Sequence, residues 1–201
     1  FKLGLEYFCA NGPKGISKIS ETGVKIFLDL KFHDIPNTVA GAIRASLNLE
    51  PYMMTVHLSG GYNMLDRTME EVKEYCSKKS LKKPLILGVS VLTSFNNKDL
   101  ESLGFNSKVE NQVQRLIKIA GEANLHGVIC SPLEIKVIKK INPNLKCFTP
   151  GIRMKNTKDD QKRTMSANEA IREGSDCLII GRPITKGNPK VNIKNILSSI
   201  D

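Results

Sequence analysis

The sequence predicts an α/β fold, a (β/α)8 barrel of the TIM type, and three observations carry that prediction. Short apolar runs alternate with helix-like stretches along the whole chain, as repeated βα units with parallel strands do. Continuous apolar strands such as Leu85-Ile86-Leu87-Gly88-Val89 suit a sheet covered on both faces. Lys31, His57, Thr93, Ser131, Arg153 and Arg182 each fall at or just after the C-terminal end of a different strand. In a barrel those ends make one face, whereas an open doubly wound sheet gathers its functional groups at one switch point. Polar residues dealt out to every strand favour the barrel.

The elements follow in order. A first strand ends near Lys2-Leu3-Gly4. The run Val24-Lys25-Ile26-Phe27-Leu28 reads as a buried strand. Pro36 then opens the next helix, where its missing N–H costs little, and that helix is expected over 38–49. Strands are expected at 53–58, 85–92, 128–131, 145–149 and 177–181, and helices at 61–79, 109–123, 132–141, 167–173 and 191–199. All belong to one domain spanning residues 1–201, a length that supports a sizeable core.

Composition narrows the class. Hydrophobic residues make up 40% and charged residues 25%, the profile of a soluble globular protein. No apolar run approaches the roughly 20 residues that span a bilayer, and Phe1-Lys2-Leu3-Gly4 lacks a signal-peptide layout. Cys9, Cys76, Cys130, Cys147 and Cys177 are scattered and form no CxxC pair; the last three sit in apolar runs, where a reduced thiol acts as a small hydrophobe. A reducing cytoplasm is the expected location. His33, His57 and His126 pair with no cysteine at ligand spacing, so no metal site is expected. The 30 Lys+Arg against 20 Asp+Glu raise nucleic-acid binding, but Lys78, Lys79, Lys82, Lys83, Lys139 and Lys140 are spread through helical segments. With 5% aromatic residues there is no stacking platform, so the charge reads as solvated helix faces that also draw in an anionic substrate.

The chemistry concentrates in Asp29-Leu30-Lys31-Phe32-His33-Asp34-Ile35-Pro36-Asn37-Thr38. Strand alternation projects Asp29 and Lys31 from one face, and Asp34 arrives in the following turn. A plain strand-end salt bridge would explain Asp-x-Lys alone. The whole string resembles the signature of the orotidine 5'-phosphate decarboxylase family in its bacterial form. Val56-His57-Leu58-Ser59-Gly60-Gly61, Val91-Leu92-Thr93-Ser94, Thr149-Pro150-Gly151-Ile152-Arg153, Asp160-Gln161-Lys162-Arg163 and Gly181-Arg182-Pro183-Ile184-Thr185 match it too, in family order.

The resemblance implies cofactor-free decarboxylation of orotidine 5'-phosphate to uridine 5'-phosphate, the last step of de novo UMP synthesis. The reaction leaves a vinylic carbanion at C6 with no electron sink, a sink that most decarboxylases borrow from a cofactor. Lys31 is then the proton donor and Asp29 its charge partner beside the substrate carboxylate. Lys2 matches an outer lysine that braces the carboxylates and touches the ribose. Asp34 completes an alternating Lys2–Asp29–Lys31–Asp34 array and, with Thr38, reaches into the neighbouring subunit of a homodimer. Ile35, Pro36 and Asn37 join the substrate-binding string, although Asn37 by itself reads as a helix-start residue. Thr93 contacts the pyrimidine, Gly181 and Arg182 hold the phosphate, and Arg153 and Gln161 close over the ligand, with 154–160 between them as a mobile lid. His57 is expected in a hydrogen-bonded structural role, and His126 in a loop. The family usually begins with a further βα unit whose strand ends in an aspartate, so the natural chain is expected to be longer.

Two rival readings stand beside this one. A magnesium-dependent sugar-phosphate decarboxylase or aldolase of the same barrel superfamily shares Asp-x-Lys-x-x-Asp but carries a glutamate where Lys2 stands, and a lysine there repels a divalent cation. A basic RNA-binding protein without activity would have no use for an intact Lys–Asp–Lys–Asp set.

Overall fold

The computed structural model describes residues 1–153 and 163–200. It is an α/β fold of seven strands ordered in the sheet as in the chain, β1 (Lys2–Gly4), β2 (Phe27–Phe32), β3 (Met53–His57), β4 (Leu85–Val89), β5 (Gly127–Ile129), β6 (Lys146–Thr149) and β7 (Cys177–Leu178). Two compact units divide the chain, Phe1–Val89 with Ile119–Gly127 and Ser90–Lys118 with Val128–Asp201.

In the first unit β1, β2, β3 and β4 pair in parallel. Their connections are α1 (Leu5–Ser20), α2 (Pro36–Leu47) and, after a 3-10 turn at Leu58–Gly60, α3 (Gly61–Lys79). Pro36 occupies the start of α2, and Val39, Ala40, Ile43 and Leu47 form its buried stripe. Met64, Leu65, Thr68, Val72 and Cys76 do the same for α3. Leu28, Met54, Ile86 and Leu87 of the strands are also fully buried, and each such large side chain is worth about 1.5–3 kcal/mol over exposure. A Cβ on Gly88 would lie 2.2 Å from Leu58 Cδ2, so β4 needs glycine there for the turn after β3 to pack. Glu71, buried in α3, takes a two-pronged contact from Arg44 of α2 (2.6 and 2.8 Å) and a third bond from Arg67 at 2.8 Å. A carboxylate left without those donors would be costly at that depth.

The second unit contains α4 (Asn97–Ser102), a 3-10 turn at Pro132–Glu134, α6 (Ile135–Ile141), α7 (Ala167–Arg172), α8 (Arg182–Thr185) and α9 (Pro189–Ser198), while α5 (Val109–Glu122) runs from this unit into the first. β6 and β7 are parallel, with Phe148 opposite Cys177 and Thr149 opposite Leu178. Ile152, Ala167, Ala170 and Ile196 are its buried centre, with Met165, Leu178, Ile180 and Ile184 packed around them. Asn96, Ser131 and Ser166 each close a reciprocal capping box with the acidic residue three positions on.

Several elements differ from their sequence-based bounds. β2 begins at Phe27 rather than at Val24, because pairing starts where the Phe27 N–H reaches Phe1 O at 2.8 Å, and it continues to Phe32. The segment expected as one helix over 132–141 breaks at Glu134, whose side chain turns back to the Ser131 N–H. β4 ends at Val89, and β7 keeps only two of the five residues expected at 177–181. α1 has no counterpart in the sequence reading. Gly12-Pro13 punctuates that stretch, and the structure places Gly12 at φ 59° as a kink between two helical pieces.

Other expectations meet the surface and the interior. Lys78, Lys79, Lys82, Lys83 and Lys140 are exposed, whereas Lys139 is half-buried and bonds Leu145 O at 3.1 Å and Asp176 at 2.8 Å. Cys130 and Cys147 are buried free thiols, but Cys177 is only half-buried. Among the described residues no helix is long and apolar enough to cross a membrane.

Candidate active site

β2 carries the charge cluster, and its local shape is not that of a regular strand. The β2–β3 register shifts between Leu28 and Phe32, and Lys31 stands at φ 51°. A non-glycine residue there costs roughly 1–2 kcal/mol. This bulge, rather than simple alternation, aims the lysine, and bulges commonly re-aim side chains next to functional sites. The Lys31 N–H donates to Thr55 Oγ1 at 2.9 Å, which gives the displaced backbone a partner on β3.

Asp29 is buried and fully engaged. Its Oδ1 accepts from Lys31 Nζ at 2.9 Å and from the Thr55 hydroxyl at 3.0 Å, and its Oδ2 accepts from Lys2 Nζ at 2.9 Å. Burial alone would raise the carboxyl, but the charges of Lys2 and Lys31 and their hydrogen bonds outweigh it, and Asp29 is held below the ordinary carboxylate range. The result is a carboxylate that stays ionised and keeps two ammonium groups in fixed directions. Lys2 is 27 residues from Asp29 in the chain and comes to it because Gly4 pairs with Asp29 across β1 and β2.

Thr55 was not singled out by the sequence. Its signal was a lone hydroxyl in the otherwise apolar run Met53-Met54-Thr55-Val56, and the structure uses it twice, as donor to Asp29 and as acceptor from Lys31. The His33 and His57 rings lie tilted at 33° to each other with centroids 5.2 Å apart, and His57 Nδ1 lies 3.3 Å from Ser59 Oγ. His126 lies in the loop before β5, as read from the sequence, and its Nδ1 accepts from the Ile86 N–H at 3.0 Å.

Asp34 departs from the alternating array. Within this chain it is exposed, its Oδ1 accepts from the Ile35 N–H at 2.7 Å, and among the described residues it forms no ion pair with Lys31. The array therefore runs Lys2–Asp29–Lys31 in one chain and stops. Ile35 (67% exposed), Asn37 and Thr38 also face outward, and Ile35, not Asn37, precedes the first turn of α2 without a side-chain cap.

The remaining residues lie in the second unit. Thr93 is half-buried in a tight turn closed by the Phe95 N–H on Leu92 O at 2.9 Å. The Arg153 N–H donates to Met165 O at 3.0 Å, and its guanidinium bonds Ile152 O at 2.8 Å. Gly181 leads into the four-residue α8, its carbonyl accepting from Ile184 and Thr185, and Arg182 is the first residue of that helix. A cavity of about 550 Å³ in this unit has Arg153 and Pro183 in its lining but neither Gly181 nor Arg182. Gln161 and the stretch 154–160 lie outside the described residues. Among the described residues no group of three or more His, Cys, Asp or Glu side chains is placed to hold a metal ion.

The orotidine 5'-phosphate decarboxylase / HUMPS family model matches residues 1–196. The chain belongs to this family. A relative from Wolbachia pipientis subsp. Culex pipiens (strain wPip), named orotidine 5'-phosphate decarboxylase, is 46% identical over 201 residues, covering 99% of this chain and 86% of the relative. One of the same name from Syntrophus aciditrophicus (strain SB) is 46% identical over 187 residues, covering 92% of this chain and 74% of its own. The crystal structure of orotidine 5'-phosphate decarboxylase from Lactobacillus acidophilus superimposes with a TM-score of 0.85 at 33% identity, over 100% of this chain and 86% of the other.

In this family member His57 offers a pH test. Burial first, then the nearby charges of His33 and Lys31, lowers it from about 6.5 to about 4. A histidine lowered on folding is protonated earlier in the unfolded chain, so stability is full above pH ~6.5 and is lost as pH falls towards ~4. The urea midpoint of the wild type is expected to drop across that window, and His57→Asn is expected to flatten the drop. An unchanged slope in the variant would place the titration elsewhere.

Proposed function

We propose that this chain is a carboxy-lyase converting orotidine 5'-phosphate to uridine 5'-phosphate, the last step of UMP synthesis, without a cofactor. The observation that carries the reading is the buried Asp29 carboxylate with Lys2 and Lys31 each at 2.9 Å, in a chain of this family. In the reaction the bond between C6 and the carboxylate breaks, its electron pair stays on C6, and carbon dioxide leaves. The Lys31 ammonium favours that developing charge and transfers its proton to C6, and water then restores the lysine. Asp29 keeps Lys31 charged and directed. Lys2 braces Asp29 and meets the ribose.

Thr93 is the pyrimidine contact, Gly181 and Arg182 hold the phosphate, and Arg153 and Gln161 close over it. A guanidinium beside free backbone N–H groups is suited to a phosphate dianion. Asp34 and Thr38, with Ile35, Pro36 and Asn37, serve the neighbouring site of a homodimer, and the outward pose of Asp34 supports that assignment. The likeness to the Lactobacillus acidophilus structure supports a single (β/α)8-type barrel domain. The proposed location is the cytoplasm.

The test is the loss of orotidine 5'-phosphate absorbance, with and without EDTA, with uridine 5'-phosphate identified as product. Turnover indifferent to EDTA is expected. No turnover by folded protein, or turnover of a sugar phosphate that needs magnesium, would overturn the reading in favour of the metal-dependent relatives.

A further inference from the structure

Arg163 is placed for a purpose that the reaction chemistry does not require. Its guanidinium joins two separate segments of the second unit. Nη1 bonds Glu134 Oε1, while Nη2 donates to Val91 O at 3.0 Å and to Leu92 O at 2.9 Å. Glu134 is buried, and its other oxygen accepts from the Ser131 N–H at 3.0 Å. The Ser131 hydroxyl in turn reaches Arg163 O at 3.4 Å, which closes a loop of bonds between the ends of β4 and β5 and the segment at Arg163. That segment is tied to the end of β6 by Ile152 pairing with Met165.

Two features set this apart from an ordinary buried ion pair. One rigid, planar guanidinium serves Glu134 through Nη1 and the carbonyls of two consecutive residues through Nη2, so a single group spans the carboxylate and the turn. In addition, Arg163 Nε is buried with no acceptor among the described residues, an unmet donor that is costly to keep. The side chain is held where the carbonyls need it rather than where all of its own donors are satisfied. Leu92 O accepts from Phe95 as well as from Arg163, so the guanidinium braces the very turn that presents Thr93.

We propose that Arg163 is a positioning residue for the substrate: anchored on Glu134, it fixes the turn after β4 and so sets Thr93 against the pyrimidine. This rests on the decarboxylase reading above. Small misplacements of a positioning group carry large kinetic consequences, so Arg163→Met is expected to lower kcat/KM by about 30- to 100-fold, mostly through KM.

The experiment is a cycle of Arg163→Met and Thr93→Ala, with kcat and KM for orotidine 5'-phosphate measured on protein whose folded fraction is set by circular dichroism. If Arg163 acts through Thr93, its loss costs several-fold less on the Thr93→Ala background than on the wild type. Arg163→Lys is expected to fall between, since its single nitrogen keeps the charge beside Glu134 but does not span the carboxylate and the turn as two nitrogens held in one plane do. Equal factors in both backgrounds overturn the proposal and reduce Arg163 to a stabilising contact. Should Arg163→Met fail to fold, Glu134→Gln, which keeps an acceptor oxygen but loses the charge, takes its place in the cycle. A wild type that turns over the substrate while the factors are equal sinks only the role of Arg163. A wild type without turnover sinks the functional reading and this inference together.

Discussion

Lys31→Ala is expected to abolish turnover of orotidine 5'-phosphate, with kcat lower by a factor of about 10⁴–10⁷. The estimate combines a general acid, worth roughly 10²–10⁴, with the charge that stabilises the carbanion, worth roughly 10²–10³. Folding should survive. Asp29 keeps Lys2 at 2.9 Å and the Thr55 hydroxyl at 3.0 Å, so the buried carboxylate is not left bare. Alanine at φ 51° carries the same Cβ penalty as the lysine that it replaces, so the backbone strain of the bulge is unchanged. Calorimetry with uridine 5'-phosphate should therefore show binding close to that of the wild type. Turnover within tenfold of the wild type would end the proton-donor role.

The second large effect is a recovery. Asp34→Asn and Lys31→Ala chains, each inactive alone, should regain activity on mixing. In a C2 dimer with shared sites, each mixed dimer holds one site with both changes and one with neither. Random pairing of equal amounts makes half of the dimers mixed, so about a quarter of the wild-type activity returns. Asparagine retains an oxygen for the Ile35 N–H, which isolates the loss of charge from any disturbance at the start of α2. The pose of Asp34 motivates the test: it is exposed in its own chain, and among the described residues Lys31 pairs with Asp29 instead. No recovery, with mixed dimers demonstrated by native mass spectrometry, would confine each site to one chain.

Legibility in the sequence followed the range of the interactions. Helix α3 was read at its true bounds, 61–79, because its signals are local: an apolar stripe at helical spacing between Gly61 at φ 79°, its first residue, and the left-handed Ser80 after it. The start of α2 was legible for the same reason, through Pro36. β2 was displaced because strand bounds depend on where a partner's N–H and C=O groups begin, and Phe1 and Tyr52 supply those partners from distant positions. The closeness of Asp29 and Lys31 was anticipated, but by the wrong geometry. Alternation alone would have done for a regular strand; a left-handed lysine in a bulge does it here.

The sequence by itself determined the alternation of strands and helices, the family, and the residue types at the charged string Asp29-Leu30-Lys31, since all of these are encoded by neighbours within a few positions. Only the tertiary structure decided who meets Asp29. Lys2 and Thr55 arrive from 27 and 26 residues away, because parallel strands pair through helical crossovers that put contacting residues far apart in the chain. It also decided protonation. Asp29 stays ionised and His57 stays neutral because burial and the charges packed around each group set the balance, and neither burial nor those neighbours exists until the strands have come together.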